Sequence, residues 1–117
     1  MGILIALVKG IYRSFDGGQT RTMMSGFPTT FQGKIRLDIY KKDPRIVYAS
    51  IGNGFGFTDG ATWLCKTSNH GDNWSIVSTN DYSKWQGWFS HDVAVHPTDT
   101  NKLALVGIKY WRSLNGG

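Results

Sequence analysis

The sequence contains a single cysteine, Cys65, among its 117 residues, so the chain can form no internal disulfide. Because Cys65 lies in an apolar run, we expect a buried thiol in a strand rather than a reactive one. No apolar pattern with a helical period of useful length occurs anywhere. These absences exclude a protein held together by a disulfide framework, and they argue against a helical fold.

The chain also lacks a long hydrophobic run. Residues 1–9 are mostly apolar but far too few to span a bilayer, and no basic residue precedes them, as one would in a secretory signal peptide. Residues 103–106 repeat the apolar pattern of residues 4–7. We therefore interpret the first residues as a β-strand, and we predict neither a membrane span nor a signal peptide in this sequence.

Concentrated positive charge is absent too, although the formal net charge is +5. Lysine and arginine are scattered, and the densest group consists of Lys41, Lys42 and Arg45. Binding of nucleic acid would need a basic patch or a recognisable module, and the sequence has neither. A mildly basic, solvated surface accounts for the charge, so no nucleic-acid partner is predicted.

The sequence has no motif for a metal, a cofactor or an activated nucleophile. His70, His91 and His96 fall in separate turns and strands, so no metal site is predicted. Residues 53–56 are glycine-rich, but no helix follows them to complete a phosphate-binding loop. His91 has no serine or cysteine nucleophile motif beside it. We therefore predict no cofactor and no catalytic triad.

What the sequence does contain is a turn that recurs at intervals of roughly 50 residues, a period typical of propellers and solenoids. Its copies are Ser14-x-Asp16-x-Gly18, Thr67-x-Asn69-x-Gly71 and Ser113-x-Asn115-x-Gly117. An Asp or Asn side chain accepts hydrogen bonds from amides that follow it. Glycine takes positive φ without steric cost. A hydroxyl side chain at the start of each copy can tie the turn to the neighbouring strand.

The segments between the turns read as strands. Ile35, Leu37 and Ile39 alternate with polar residues, which is the period of a half-buried strand, and residues 46–51 are β-branched and aromatic. The predicted strands are residues 3–8, 10–14, 20–24, 34–39, 46–51, 61–66, 74–78, 86–95, 102–106 and 109–112. The predicted fold class is therefore all-β.

A second repeat involves the predicted strands at residues 34–39 and 86–95. Gln32-Gly33 and Asp38 recur as Gln86-Gly87 and Asp92. Recurrence at one place in each unit predicts that Asp38 and Asp92 share a structural role, such as bonding to an adjacent loop.

The recurring turn resembles the Asp-box, or bacterial neuraminidase repeat, whose pattern is Ser-x-Asp-x-Gly-x-Thr-Trp. The matching residues are Ser14, Asp16, Gly18 and Thr20 in the first copy, Asn69, Gly71 and Trp74 in the second, and Ser113 and Gly117 in the third. Departures from the pattern are Arg21 for Trp, Thr67 for Ser, Asn73 for Thr and Asn115 for Asp. The resemblance implies a β-propeller of four-stranded antiparallel blades, with each box on the hairpin between a blade's third and fourth strands. It also implies that the box residues are structural and lie away from the ligand.

The repeat divides the chain into the end of one blade at residues 1–31, a full blade at 32–78, and the start of another at 79–117. Two blades would leave two large apolar faces exposed. We therefore expect an incomplete ring, a fragment whose partners are the remaining blades of a longer polypeptide. The alternative is a short chain that self-associates into a ring.

The candidate ligand-binding residues lie in two aromatic loops, residues 52–60 and 79–91, opposite the box turns. Flat rings with nearby polar groups suit stacking on a sugar or lining a peptide groove, although Trp88 could instead pack between blades. The candidates are Phe55, Phe57, Asp59, Trp85, Trp88, His91 and Asp92. Glycoside hydrolysis needs two carboxylates, and Asp59 and Asp92 are the acids that we nominate for this role. Which residues would be catalytic is not determined by the sequence.

Residues 43–48 and 96–102 also resemble a linker of secreted bacterial propellers of the xyloglucanase-like and sortilin-like groups. This resemblance implies an extracellular or periplasmic location. It leaves two functions open, because those groups include glycoside hydrolases and non-catalytic proteins. The first is glycan processing or glycan binding, and the second is a peptide-binding or scaffold role without chemistry.

Overall fold

In a computed structural model, the chain is described over residues 2–7, 10–29, 31, 33–53 and 62–117. These residues form ten strands and no helix, so none of them belongs to a helix that could cross a membrane. The all-β prediction is confirmed. The strands are β1 (Ile3–Leu7), β2 (Gly10–Ser14), β3 (Thr22–Met23), β4 (Ile35–Ile39), β5 (Val47–Gly52), β6 (Thr62–Thr67), β7 (Ser75–Ser78), β8 (Asp92–His96), β9 (Asp99–Val106) and β10 (Tyr110–Ser113).

The strands make three antiparallel sheets, each built from strands that follow one another in the chain. Sheet I has the order β1-β2-β3, sheet II the order β4-β5-β6-β7, and sheet III the order β8-β9-β10. The connections between neighbouring strands are hairpins, which antiparallel pairing permits. Each of the three recurring turns begins at the last residue of β2, β6 or β10.

Sheet II lies between the other two and is buried on both faces. All six residues of β5 are buried. Because successive side chains of a strand point to opposite faces, Ala49 and Ile51 pack against sheet I, while Tyr48 packs against sheet III. The first cluster contains Ile11, Met24, Phe27, Ile35, Val47, Ala49, Ile51, Cys65 and Trp74, and the second contains Tyr48, Leu64, Tyr82, Val93, Leu103 and Leu105.

The single thiol belongs to the first of these clusters. Cys65 is fully buried, and loss of hydration raises its pKa to about 12. The expectation of a buried thiol in a strand is therefore confirmed.

The outward faces of sheets I and III carry exposed apolar side chains. On sheet I these include Ile3, Leu7 and Met23, and on sheet III they include Val106 and Tyr110. Patches of this kind mark interaction surfaces in soluble proteins.

The three recurring turns share one hydrogen-bond pattern. In the first, the Ser14 hydroxyl donates to the Asp16 carboxylate at 2.8 Å and accepts from the Gly18 amide at 2.7 Å. Thr67 makes the same two contacts in the second turn, and Ser113 makes them in the third. In the first two turns the acid or amide side chain also accepts from a later amide, Asp16 from that of Thr20 at 2.8 Å and Asn69 from that of Asn73 at 3.0 Å. A hydroxyl is thus the hub of each turn.

Replacing Thr67 by valine tests this hub, because the two side chains have nearly the same shape. Thr67 is 1% exposed, so loss of its hydroxyl leaves the Gly71 amide without its acceptor and removes one of the two hydrogen bonds to Asn69 Oδ1. We expect the free energy of unfolding to fall by about 2 kcal/mol, the usual cost of a buried unpaired group. Chemical denaturation measures this. Thr98→Val, in an exposed turn, is the matched control, and equal stability of the two variants would contradict the assignment.

The turns gather at the two ends of the sheets as the sequence predicted. At one end, the His70 amide donates to the Arg45 carbonyl at 3.1 Å, and the Gly116 amide donates to the Asn101 carbonyl at 2.9 Å. The second and third recurring turns therefore lie beside the turns that follow β4 and β8. At the opposite end, the Thr62 hydroxyl donates to Asp81 at 2.6 Å, which ties the start of β6 to the loop after β7.

Residues 86–91, predicted as the beginning of a strand, form turns instead. The Gln86 amide donates to the Ser83 carbonyl, and the Phe89 and Ser90 amides both donate to the Gln86 carbonyl, each at 2.8 Å. These local bonds use the backbone groups that a strand would offer to a neighbour. The ladder with β9 begins only at Asp92.

The strand register corrects the predicted equivalence of Asp38 and Asp92. When sheets II and III are aligned on their recurring turns, Asp38 corresponds to Ala94, and Asp92 corresponds to Arg36. Asp38 does have a structural role, because its carboxylate accepts a hydrogen bond from the Val95 amide of β8 at 2.7 Å. Asp92 accepts a hydrogen bond from the amide that follows it, that of Val93.

Candidate functional site

Four of the seven candidate ligand-binding residues belong to the described part of the chain, and all four lie between β7 and the start of β8. They are Trp85, Trp88, His91 and Asp92. Phe55, Phe57 and Asp59 lie outside the described residues. The four residues are close together in the sequence, but the structure gives them three different environments.

Trp85 and Trp88 are both exposed at the end of the sheets opposite the recurring turns. Their exposed fractions are 49% and 42%. Trp85 has a φ of 68°, a left-handed conformation that costs a residue with a side chain about 1–2 kcal/mol. For a bulky residue this conformation is a genuine outlier, and such outliers cluster at functional sites.

Phe89 joins the two tryptophans to form what we call the aromatic surface, defined as Trp85, Trp88 and Phe89. Phe89 is 59% exposed, and its ring lies 5.3 Å from that of Trp88 with an angle of 40° between the planes. Three exposed large rings therefore occur within five residues. The alternative interpretation of Trp88 was that it packs between blades, but the Trp88 side chain remains substantially exposed.

Two lysines flank the aromatic surface. The Lys84 ammonium lies 5.3 Å from the centre of the Trp85 ring, and the Lys34 ammonium lies 5.3 Å from that of Phe89. Both distances fall within the range of a cation–π contact. Burial and the nearby Arg36 lower the pKa of Lys34. The surface thus combines flat apolar rings with hydrogen-bond donors, the combination that suits a ligand with apolar C–H faces and hydroxyl groups.

His91 is not part of this surface, because its side chain is 4% exposed. Its Nδ1 lies 2.7 Å from the Ser50 hydroxyl, which in turn lies 2.5 Å from the Tyr82 hydroxyl. In the register of the sheets, His91 occupies the place of Ile35 in sheet II. The position that a buried isoleucine occupies in sheet II is thus occupied next to β8 by a buried polar side chain. This side chain joins β5 to the loop before β8.

Burial dominates the ionisation of this trio. Loss of hydration, with a smaller contribution from Lys34, lowers the pKa of His91 to about 4. Burial likewise raises the pKa of Tyr82 well above its ordinary range. Among the residues that the structure describes, none forms a hydrogen bond of ordinary geometry with Nε2, although a backbone contact with Lys34 favours the charged form. His91 is therefore neutral at physiological pH.

The trio is structural rather than catalytic. Ser50 is fully buried, so no substrate can reach its hydroxyl, and that hydroxyl is already engaged by both neighbours. The serine–histidine contact therefore lacks the access that a nucleophile requires.

Three glycines let the backbone pass closely beside this trio. A Cβ added to Gly52 would lie 2.5 Å from His91 Nε2 and still closer to the Gly87 carbonyl oxygen. A Cβ added to Gly33 would collide with the carbonyl oxygens of Gly52 and Gly87. The end of β5, the approach to β4 and the loop before β8 therefore meet at a point that has no room for a side chain.

Asp92 is exposed at the start of β8. The other acid nominated for a catalytic pair, Asp59, falls outside the described residues, so no separation between the two carboxylates can be assigned. Within the described residues, no group of three histidine, cysteine or acidic side chains is arranged to hold a metal ion.

Sequence reasoning did not identify Ser50 or Lys34 as neighbours of the candidate residues. Ser50 offered one signal, since it interrupts the apolar run of β5 with a hydroxyl that must find a partner when buried. Nothing local indicated that the partner would be His91, 41 residues away.

Comparison with known proteins adds no relative to this description. Searches of protein-family models, of curated proteins and of solved structures gave no match to the chain. Its assignment to a family therefore depends on its own residues and geometry.

Proposed function

We propose that the chain is part of an Asp-box β-propeller that binds glycans through its aromatic surface. Two features support the propeller assignment. The recurring turns share one hydroxyl-centred hydrogen-bond pattern, and three antiparallel sheets pack face to face in the order of the chain. The proposal includes an extracellular or periplasmic location, by resemblance to secreted propellers, and further blades as partners.

The observation that carries the glycan assignment is the exposed, strained Trp85 beside Trp88 and Phe89. Backbone strain of this kind is typical of functional sites, and glycine or asparagine at position 85 would have avoided it. Stacking on a sugar ring uses the faces of such side chains, while the flanking lysines can donate hydrogen bonds to hydroxyl groups.

Binding is favoured over hydrolysis by the environments of the polar candidates. His91 is held in a buried trio with Ser50 and Tyr82, so its side chain is not available to a substrate as an acid or a base. Hydrolysis of a glycan would need two carboxylates that flank the scissile bond, whereas binding needs only exposed rings and hydrogen-bond donors. We therefore propose recognition of a glycan and assign no catalytic residue.

Trp85→Gly provides the sharpest test, because it removes the ring and relieves the left-handed strain together. We expect affinity for the best ligand on a glycan array that includes xyloglucan to fall at least about tenfold, as for an aromatic anchor of an interface. The thermal midpoint should not fall, since glycine adopts this φ freely. Weakened binding could then not be attributed to unfolding.

Phe15→Ala is the matched control, since Phe15 is an exposed ring at the end of the recurring turns, 70% exposed. This variant should keep full affinity. Glycan affinity that is unchanged in Trp85→Gly would remove the aromatic surface from the site. Binding of extended peptides but of no glycan, lost in the same variant, would favour the peptide-binding alternative instead.

A further inference from the structure

Lys34 is a half-buried cation at the margin of the aromatic surface. Its ammonium group lies 5.3 Å from the centre of the Phe89 ring. Burial, and after it the positive charge of Arg36, lower the pKa of Lys34, and the opposing effect of Asp92 is smaller. The surroundings of Lys34 therefore disfavour its positive charge, and an anion bound beside it would offset that cost.

Further basic side chains occur around the aromatic surface. The Lys84 ammonium lies 5.3 Å from the centre of the adjacent indole ring. Lys109 belongs to the β9–β10 hairpin, which meets the same loop where the Ile108 amide donates to the Tyr82 carbonyl at 3.2 Å. Among the described residues, the basic side chains at this end of the sheets are Lys34, Arg36, Lys84 and Lys109.

In the described part of the chain, acidic side chains are fewer around the aromatic surface than at the opposite end of the sheets. The acids in the turns at that opposite end are Asp16, Asp43, Asp72 and Asp99. Near the aromatic surface the described acids are Asp81 and Asp92, and Asp81 accepts a hydrogen bond from the Thr62 hydroxyl. Four basic and two acidic side chains leave a net positive charge, which raises the local concentration of anions.

The positions of the two lysines argue against a cationic ligand. A group of aromatic rings attracts a cation through the negative faces of the rings. Here ammonium groups already lie near the rings of Trp85 and Phe89, and they would repel a second cation. The rings and the lysines together suit a ligand with flat apolar faces and negative charge.

We propose that the glycan bound by the aromatic surface is anionic, with one carboxylate or sulfate group held by Lys34 and another attracted by Lys84. A sugar stacked on an aromatic ring projects its substituents from its rim, so a charged substituent can reach an ammonium group beside that ring. Lysine presents a compact charge with three donors, which suits carboxylate and sulfate alike. This inference rests on the proposed function, since it assigns the charge of the same ligand.

Single-stranded nucleic acid, which also combines flat rings with negative charge, fits this surface less well. Its binding needs a basic groove that follows the backbone over several nucleotides. The basic side chains described above instead surround a single group of three rings, all within five residues of one loop.

Two pairs of ligands, titrated into the full chain by isothermal titration calorimetry, test the proposal. The pairs are oligogalacturonate with its methyl ester, and dextran sulfate with dextran, and only the first member of each pair is charged. We expect the charged member of at least one pair to bind at least about tenfold more tightly at low salt, with a smaller advantage at high salt. A preference in the first pair alone assigns carboxylates, and a preference in the second alone assigns sulfates.

Substitution of the lysines locates the charge that the ligand meets. Lys34→Gln should weaken binding of the preferred charged ligand at least about tenfold, the loss typical of a charged hydrogen-bond partner. Lys84→Gln, at an exposed position, should weaken it about threefold. Neither variant should change the affinity for the neutral member of the pair. Lys42→Gln removes the same charge from an exposed turn at the opposite end of the sheets, and this control should bind like the unmodified chain.

The outcomes separate this inference from the proposed function. Equal affinity for the charged and neutral members of both pairs, with binding still lost in Trp85→Gly, would overturn the anionic assignment alone. Unchanged affinity in both Lys34→Gln and Lys84→Gln, or an equal loss in Lys42→Gln, would overturn it too. Absence of binding to any glycan would overturn both proposals, as would tighter binding of a single-stranded oligonucleotide that Trp85→Gly abolishes.

Discussion

Replacing Gly52 by alanine should prevent the chain from folding stably. The added methyl group would overlap the Gly87 carbonyl oxygen and approach His91 Nε2. The first of these atoms belongs to the backbone, so it cannot move without displacing the loop before β8. Changes of this kind cost more than about 4 kcal/mol, a large share of the 5–15 kcal/mol that stabilises a typical domain.

Gly10→Ala is the matched control for this prediction, because both glycines lie at the end of a strand. A Cβ at Gly10 would meet only the outer atoms of Phe27 and Met23, at 3.3 and 3.4 Å. We expect this variant to change the free energy of unfolding by less than about 1 kcal/mol. Circular dichroism and chemical denaturation of both variants provide the comparison. A well-folded Gly52→Ala protein would mean that the three backbone segments do not meet as described.

Mild acid should destabilise the chain through His91. Its pKa is about 4 in the folded protein, against 6.5 for an ordinary histidine, so between these values the unfolded chain binds a proton that the folded chain does not. The contribution of His91 to the free energy of unfolding is therefore fully present above pH 6.5 and is lost as the pH falls towards 4. The loss attributable to this group is about 3 kcal/mol.

The variant that isolates this effect is His91→Ile, which installs the residue type found at the corresponding Ile35. Its free energy of unfolding should be nearly independent of pH between 6.5 and 4, while Ser50 keeps Tyr82 as its partner. His96→Gln, on an exposed histidine, should retain the dependence of the unmodified chain. Asp16 and Asp43, whose pKa values lie at about 2 because of hydrogen bonds from Thr20 and Arg45, lose their contribution only below the ordinary value of 3.8. Equal acid sensitivity in His91→Ile would contradict the prediction.

The alternation of apolar residues predicted the all-β class and the approximate extent of most strands. It succeeded because burial of one face imposes a period of two on the sequence. The predicted strand at 46–51 and the observed β5, for example, differ by one residue at each end. The recurring turn was equally readable, since its hydroxyl, acid and glycine contact one another within five residues.

The same period explains why the register could not be predicted. Asp38 and Asp92 have equal spacing from a preceding Gln-Gly pair, yet the aligned strands differ from that spacing by two residues. A shift of two leaves every side chain on its original face, so the apolar pattern looks the same in either register. Turns at residues 86–91 absorb the difference, and their hydrogen bonds are not visible in the spacing of apolar residues.

The candidate site was predicted in part. Exposed aromatic rings in a loop at one end of the sheets follow from composition and topology, as Trp85 and Trp88 illustrate. The role of His91 did not follow, because its hydrogen-bond partner Ser50 lies 41 residues before it and contacts Tyr82 as well. Long-range polar pairs of this kind depend on the tertiary packing and carry no local signature.

The packing of the three sheets has a direction. Sheet II presents one face to sheet I and a different face to sheet III, and the two contacts repeat in the same sense along the chain. The molecule therefore has a front and a back that are not alike, so a twofold axis between two copies would reverse the direction of the stack. Head-to-tail association would keep that direction. Geometry then allows either a closed cycle or an unlimited filament, depending on whether the rotation from one sheet to the next divides evenly into a full circle.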